Sequence, residues 1–246
     1  MTMKCRADSA AAGHPPRAAR TALLSALLGL ALTPLPGAAQ GGPEPLGRTQ
    51  WSYMHTLFQR TFLKVDVLTV DVCFDAPTAQ RFGAVAARTR LSGAAADTIT
   101  RAALQAARAQ GRIEFLRHVS HGEFIDGVTD DLRKAVKARV MGDSIFRAIV
   151  AGLPASYAFL EKRGLRKGDQ LVYDMAGDTI RTRYIGGDGA VLLDELAVGR
   201  QRRNSPLATW FTPGSSYRAG LLQSLQREGA RAANEPFAER CQPRLK

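Results

Sequence analysis

Long apolar runs are scarce in this sequence, and that excludes a membrane anchor. The one stretch of note, "TALLSALLGLAL" from Thr21 to Leu32, is closed by Pro34 and Pro36. It falls short of the roughly 20 residues that cross a bilayer. Cysteine is scarce too, with three in 246 residues. Cys5 precedes the apolar run, so no lipoprotein cleavage site follows it, and no paired arginines mark the twin-arginine route. Acidic residues are outnumbered, 22 against 34 Lys and Arg, for a net charge of +12. No recognition motif accompanies that charge, and no internal repeat is visible.

What is present at the start is an export signal. Lys4, Arg6, Arg17 and Arg20 make a basic beginning, the apolar run has the length of a signal core, and "PLPGAAQ" supplies the break. Gly37 and Ala39 stand where a signal peptidase reads, which predicts cleavage after Ala39 and a soluble periplasmic or secreted protein. Removing residues 1–39 takes away four basic residues and one acidic residue, leaving +9. Such a surface can attract lipid headgroups weakly, or acidic small molecules. Export and the missing motif argue against nucleic acid. Two cysteines survive processing, Cys73 and Cys241, and export permits a disulfide between them. A buried thiol plus a lone tail cysteine is the equal alternative.

The mature chain reads as one domain. Residues 40–50, "QGGPEPLGRTQ", form a Gly/Pro linker, residues 51–228 the domain, and the polar stretch 229–246 a loose tail. Strand character fills 51–74 and stops at the turn signal "DAPT". Residues 92–111 read as an Ala-rich helix ended by Gly111, and "RIEFLRHV" as a strand. Phe124, Val128, Leu132 and Val136 recur every four residues, one stripe of an amphipathic helix. Shorter helices follow in "DSIFRAIVAG" and, after Pro154, "ASYAFLEKRG". "GDQLVYDM", "DTIRTRYI" and "AVLLDEL", parted by "AGD" and "GGDG", predict a β-meander. Helical spacing returns in "SPLATWF" and "SSYRAGLLQSLQ". The order predicts an α+β fold, helices on one face of an antiparallel sheet.

Several motifs are set aside. His118 and His121 straddle a strand end without a second pair of ligands, so no metal is expected. Asp130 and Asp131 read as the solvated side of their helix, and Arg200, Arg202 and Arg203 as a solvated loop. "TPGSSYR" lacks the preceding strand and the histidine of a nucleophile elbow. The segment "FQRTFLKVDVLTVDVCF", Phe58 to Phe74, is less easily dismissed. It sets Arg60, Thr69 and Asp71 among strand-forming apolar residues that alternate onto both faces.

Three segments resemble the chalcone isomerase superfamily: "RTFLKVDVLTVDVCF", "IEFLRHVSHGEFIDGVTDDLRKA" and "LRKGDQLVYDM…LATWFTPGSSYRAGLLQSL". The similarity spans residues 58–226. It implies an open-faced sandwich, a large antiparallel sheet packed by helices, and no cofactor. It also implies one of two functions: cyclisation of a chalcone to a flavanone, or binding of a fatty acid in the same cleft. By resemblance, Arg60 matches the family's ligand-facing arginine, Thr69 its active-site threonine, and Thr209 in "LATWF" a second threonine. A guanidinium there can grip a carboxylate or phenolate with two hydrogen bonds. The family's tyrosine falls on Phe124 and its asparagine on Asp131, departures that remove a hydroxyl and add a negative charge. They disfavour cyclisation.

Three functions follow. The first is an exported carrier of a fatty acid or similar amphipathic anion, held by Arg60, Thr69, Phe124, Asp131, Thr209 and Trp210. The second is a structural or partner-binding envelope module whose cleft is filled by Phe124 and Trp210. The third is an isomerase for a flavonoid-like substrate, in which Arg60, Thr69 and Thr209 act. Asp71, on the face of Thr69, is a candidate internal partner for Arg60.

Overall fold

The structure, a computed structural model, describes residues 52–60, 65–87 and 91–228, with only the backbone of Arg60 and Glu228. The expected signal peptide, linker and tail lie outside the described residues. The chain divides into two units, Met1–Gln40 and Gly41–Lys246, and every described residue belongs to the second.

Six strands form one antiparallel sheet in chain order: β1 Ser52–Arg60, β2 Val65–Phe74, β3 Arg108–Phe115, β4 Gln170–Ala176, β5 Thr179–Ile185 and β6 Val191–Val198. Every strand pairs with its sequence neighbour, and side chains alternate between the two faces apart from register shifts at Phe58/Gln59 and Tyr184/Ile185. Helices α1 Ala76–Ala86 and α2 Gly93–Leu104 fill the β2–β3 connection. Helices α3 His121–Lys137 and α4 Asp143–Ser156, then a 3₁₀ turn at Ala158–Leu160, fill the next. After β6 come α5 Arg200–Arg203, α6 Ser205–Phe211 and α7 Arg218–Glu228. This is the expected α+β fold, an open antiparallel sheet packed by helices. Among the described residues no helix is long and apolar enough to cross a membrane.

The core lies where the helices meet one sheet face. Leu68, Val70, Val72 and Phe74 of β2 are buried there with Ile113 and Phe115 of β3 and Leu171 and Met175 of β4. Phe74 meets Phe82 of α1 and Phe211 of α6 edge to face. The opposite face carries Thr69, Asp71 and Cys73 opposite Glu114, Arg112 and Gln110. Asp71 takes a counter-charge from Arg112, and the side chain of Arg60, its expected partner, lies outside the described residues. Cys73 is disulfide-bonded, and Cys5 and Cys241 both lie outside the described residues.

Three local differences from the sequence reading have physical causes. "DAPT" starts a helix instead of a simple turn: Asp75 accepts from Thr78 N at 3.0 Å, and Pro77 sits in the first helical turn. The same carboxylate accepts from Arg108 N at 2.8 Å, tying the helix start to β3. The Ala-rich helix ends at Leu104 instead of Gly111, because Arg108–Phe115 pairs between β2 and β4 and tertiary pairing overrides helical spacing. Helix α4 continues through Pro154 to Ser156, since a proline so near the C-terminus removes a single intrahelical bond.

Helix α3 begins in a capping box. Ser120 Oγ accepts from Glu123 N at 3.2 Å, and Ser120 N donates to Glu123 Oε2 at 3.0 Å. Ser120→Ala is expected to cost about 1 kcal/mol, read as a lower urea midpoint at unchanged slope. An unchanged midpoint would mean that packing alone holds the helix start.

Candidate functional site

The α3 stripe predicted from spacing is real, and it roofs two neighbouring hollows between helices and sheet. The first, of about 230 Å³, has its floor in β4–β6 and its walls in α4 and α6. Tyr173 comes from β4, Ile180 and Thr182 from β5, and Glu195 and Ala197 from β6. Ile149, Gly152 and Leu153 come from α4, Thr209 and Trp210 from α6, and Phe124, Val128, Asp131 and Leu132 from α3. The second hollow, of about 330 Å³, lies over β1–β3 and is lined by Phe58, Val67, Leu68, Phe115 and Val119. Charged residues also line it, Arg117 and Lys134 against Glu123, Asp126, Asp130 and Asp131.

Burial shapes the chemistry of the first hollow. Tyr157 and Tyr173 line it, and their hydroxyls have no hydrogen-bond partner among the described residues. Burial pushes the Tyr157 phenol well up, and the charge of Glu195 adds to it. Burial does the same to Tyr173, helped by Tyr157 and Tyr217, and to Tyr217, helped by the neighbouring Asp131 carboxylate. All three therefore stay neutral donors across the physiological range. Asp131 also accepts from Lys134 Nζ at 2.7 Å. Arg202 is the one lysine or arginine lining this hollow among the described residues, and it stands exposed at the rim. An apolar ligand end would pack on Ile149, Leu153, Ile180 and Trp210, while an oxygen-bearing end would meet phenol donors and a guanidinium. Among the described residues no group of three or more His, Cys, Asp or Glu could hold a metal.

The residues expected from the sequence divide between this site and elsewhere. Phe124, Asp131, Thr209 and Trp210 all line the first hollow. Thr209 Oγ1 donates to Pro206 O at 2.8 Å, so it faces a ligand as an acceptor. Thr69 lines neither hollow. It sits on the sheet face turned away from α3 and α6, because it alternates with the core residues Leu68 and Val70. Arg60 ends β1 opposite Val65, and its side chain lies outside the described residues.

Other side chains of the hollow escaped sequence reasoning. Tyr173 shares a face with Leu171 and Met175, a parity that strand alternation alone could have revealed. Tyr157 sits where α4 gives way to the 3₁₀ turn, a place no periodicity marks. The basic cluster is not a solvated loop throughout. Arg203 is buried and donates to Ala106 O at 2.7 Å, which fixes the short α5 and leaves Arg202 on the rim. Asp131 likewise leaves the solvated face assigned to it.

No protein-family model and no curated protein matches the chain. Among solved structures it is similar to the Arabidopsis thaliana fatty-acid binding protein AtFAP1, at 10% identity and a TM-score of 0.43. That match covers 75% of this chain and 89% of that one.

Proposed function

We propose that this chain binds a small amphipathic carboxylate, a fatty acid or a close analogue, in the first hollow without chemical change to it. The observation that carries the reading is the pair of phenols, Tyr157 and Tyr173, that line a largely apolar hollow with no protein hydrogen-bond partner for either hydroxyl among the described residues. Two hydroxyls that open onto one hollow and are not paired among the described residues make it a place for an oxygen-bearing ligand or water. The apolar part of the wall suits an acyl chain, and Arg202 supplies positive charge for the acid in a lining that also holds Asp131 and Glu195. We further propose that it acts after export, for which the N-terminal apolar run and the disulfide at Cys73 speak.

Gly152 offers a test that spares the core. A β-carbon built there meets nothing within 4 Å, and the residue lies in α4 on the cavity wall. Gly152→Leu should keep or raise thermal stability, since glycine disfavours a helix by about 1 kcal/mol. It should also weaken decanoate binding to delipidated protein by about tenfold or more, read by isothermal titration. Equal affinity in both proteins, or no affinity of the natural sequence for any fatty acid from hexanoate to stearate, would overturn the proposal.

A further inference from the structure

The two hollows are separated by side chains that belong to both. Phe124 and Tyr217 line each of them, and they are 7% and 9% exposed. The Phe124 ring lies edge-on between Phe115 of the second hollow, at 6.3 Å, and Tyr157 of the first, at 4.9 Å. Tyr217 packs 5.4 Å from Phe58, a residue of the second hollow, and stands near Asp131, which lines both. One ring comes from α3 and the other from the turn before α7, so they stand at the junction of the two hollows from two sides.

We infer that Phe124 and Tyr217 form a partition that sets the chain length of the ligand, admitting medium-chain carboxylates and refusing long ones. The inference rests on the binding reading above and adds the ligand's size. The first side offers three donors not paired among the described residues, Tyr157, Tyr173 and the rim Arg202. The acid end therefore belongs there, and the tail runs towards Phe124. The first hollow, about 230 Å³, is the smaller of the two, so a chain confined to it is shorter than one that extends into both. Beyond the partition lies the second hollow of about 330 Å³, where Phe58, Val67, Leu68 and Phe115 offer apolar surface that a longer chain can use only if the wall is cut.

The experiment is a chain-length series of saturated carboxylates, hexanoate to stearate, titrated into delipidated natural protein, Phe124→Ala and the milder Phe124→Leu. In the natural protein, affinity should rise about fourfold per methylene and stop rising near decanoate. In Phe124→Ala the rise should continue towards palmitate, shifting the palmitate-to-octanoate ratio about tenfold or more. Phe124→Leu should move the break in the same direction by less, and it serves alone if the alanine variant does not fold. A natural protein whose affinity climbs unbroken to stearate, or variants whose break does not move, would overturn the partition while leaving the binding reading intact. A natural protein that binds no member of the series would overturn both.

Discussion

Replacing Asp71 with alanine is expected to destabilise the protein by about 3–5 kcal/mol, the cost of leaving one half of a buried ion pair. Asp71 and Arg112 are 3% and 4% exposed, on the sheet face away from α3. One carboxylate oxygen accepts from Arg112 Nη2 at 2.7 Å and Nε at 3.2 Å. The other accepts from the Tyr53 hydroxyl at 2.6 Å and meets His55 Nδ1 at 2.8 Å. One side chain of β2 thus fastens β1 on one side and β3 on the other, and its loss removes the carboxylate that two Arg112 nitrogens share. The pH dependence follows with a definite sign. Burial pushes the Asp71 carboxyl up, but the hydrogen bonds from His55 and Tyr53 and the charge of Arg112 outweigh it and hold it below the usual carboxylate range. Asp169 moves the same way, burial being outweighed by Arg163, Tyr184 and the backbone N–H groups of Arg166 and Gly187. A lowered folded-state value gives stability that is complete above the ordinary carboxylate pKa of about 3.9 and is lost as the pH falls through the folded value. Urea midpoints should therefore be flat near neutrality and fall in acid, and Asp71→Ala should remove part of that fall. A loss under about 1 kcal/mol would mean that the pair behaves like a surface salt bridge.

Gly111→Ala is the second large effect, and the expected sign runs against ordinary strand preference. Alanine in place of glycine usually stabilises by about 0.4–1 kcal/mol through the unfolded chain. At Gly111 a β-carbon would stand 2.4 Å from Trp210 Cη2 and 2.6 Å from Cζ3. The indole lies against the bare backbone of β3, meets Tyr173 at 5.7 Å and forms a wall of the first hollow. It is almost wholly buried, so it has little room to retreat. Overpacking of this kind costs about 1–3 kcal/mol, and a displaced indole should weaken ligand binding at the same time. Because the two residues collide directly, Gly111→Ala combined with Trp210→Leu should lose less stability than the two single changes added. A Gly111→Ala protein as stable as the natural one, with unchanged binding, would contradict this packing.

These two positions also show what the sequence could and could not reveal. The β4–β6 meander was legible because "AGD" and "GGDG" punctuate short apolar alternations, and α3 because its stripe and its capping residues agree. Gly111 misled, since a glycine after an Ala-rich run reads as a helix stop, while here it makes room for an indole from α6. Asp75 and Pro77 misled for a related reason, because the residues that make turns also begin helices. At the site, Phe124, Asp131, Thr209 and Trp210 were reachable through helical spacing and family resemblance. Tyr157, Tyr173 and Arg202 were not, because each reaches the hollow from an element whose position depends on the whole fold. Thr69 shows the reverse failure. Its alternation with Leu68 and Val70 was readable, but which face of β2 the helices cover was not.

The most direct test of the account is a crystal of delipidated protein grown with a decanoate brominated at its terminal carbon, followed by the anomalous signal of the bromine. The account predicts one bromine peak in the first hollow against Phe124, with the carboxylate within hydrogen-bond distance of Tyr157, Tyr173 or Arg202. A bromine found only on the outer surface, with both hollows filled by water, would contradict it.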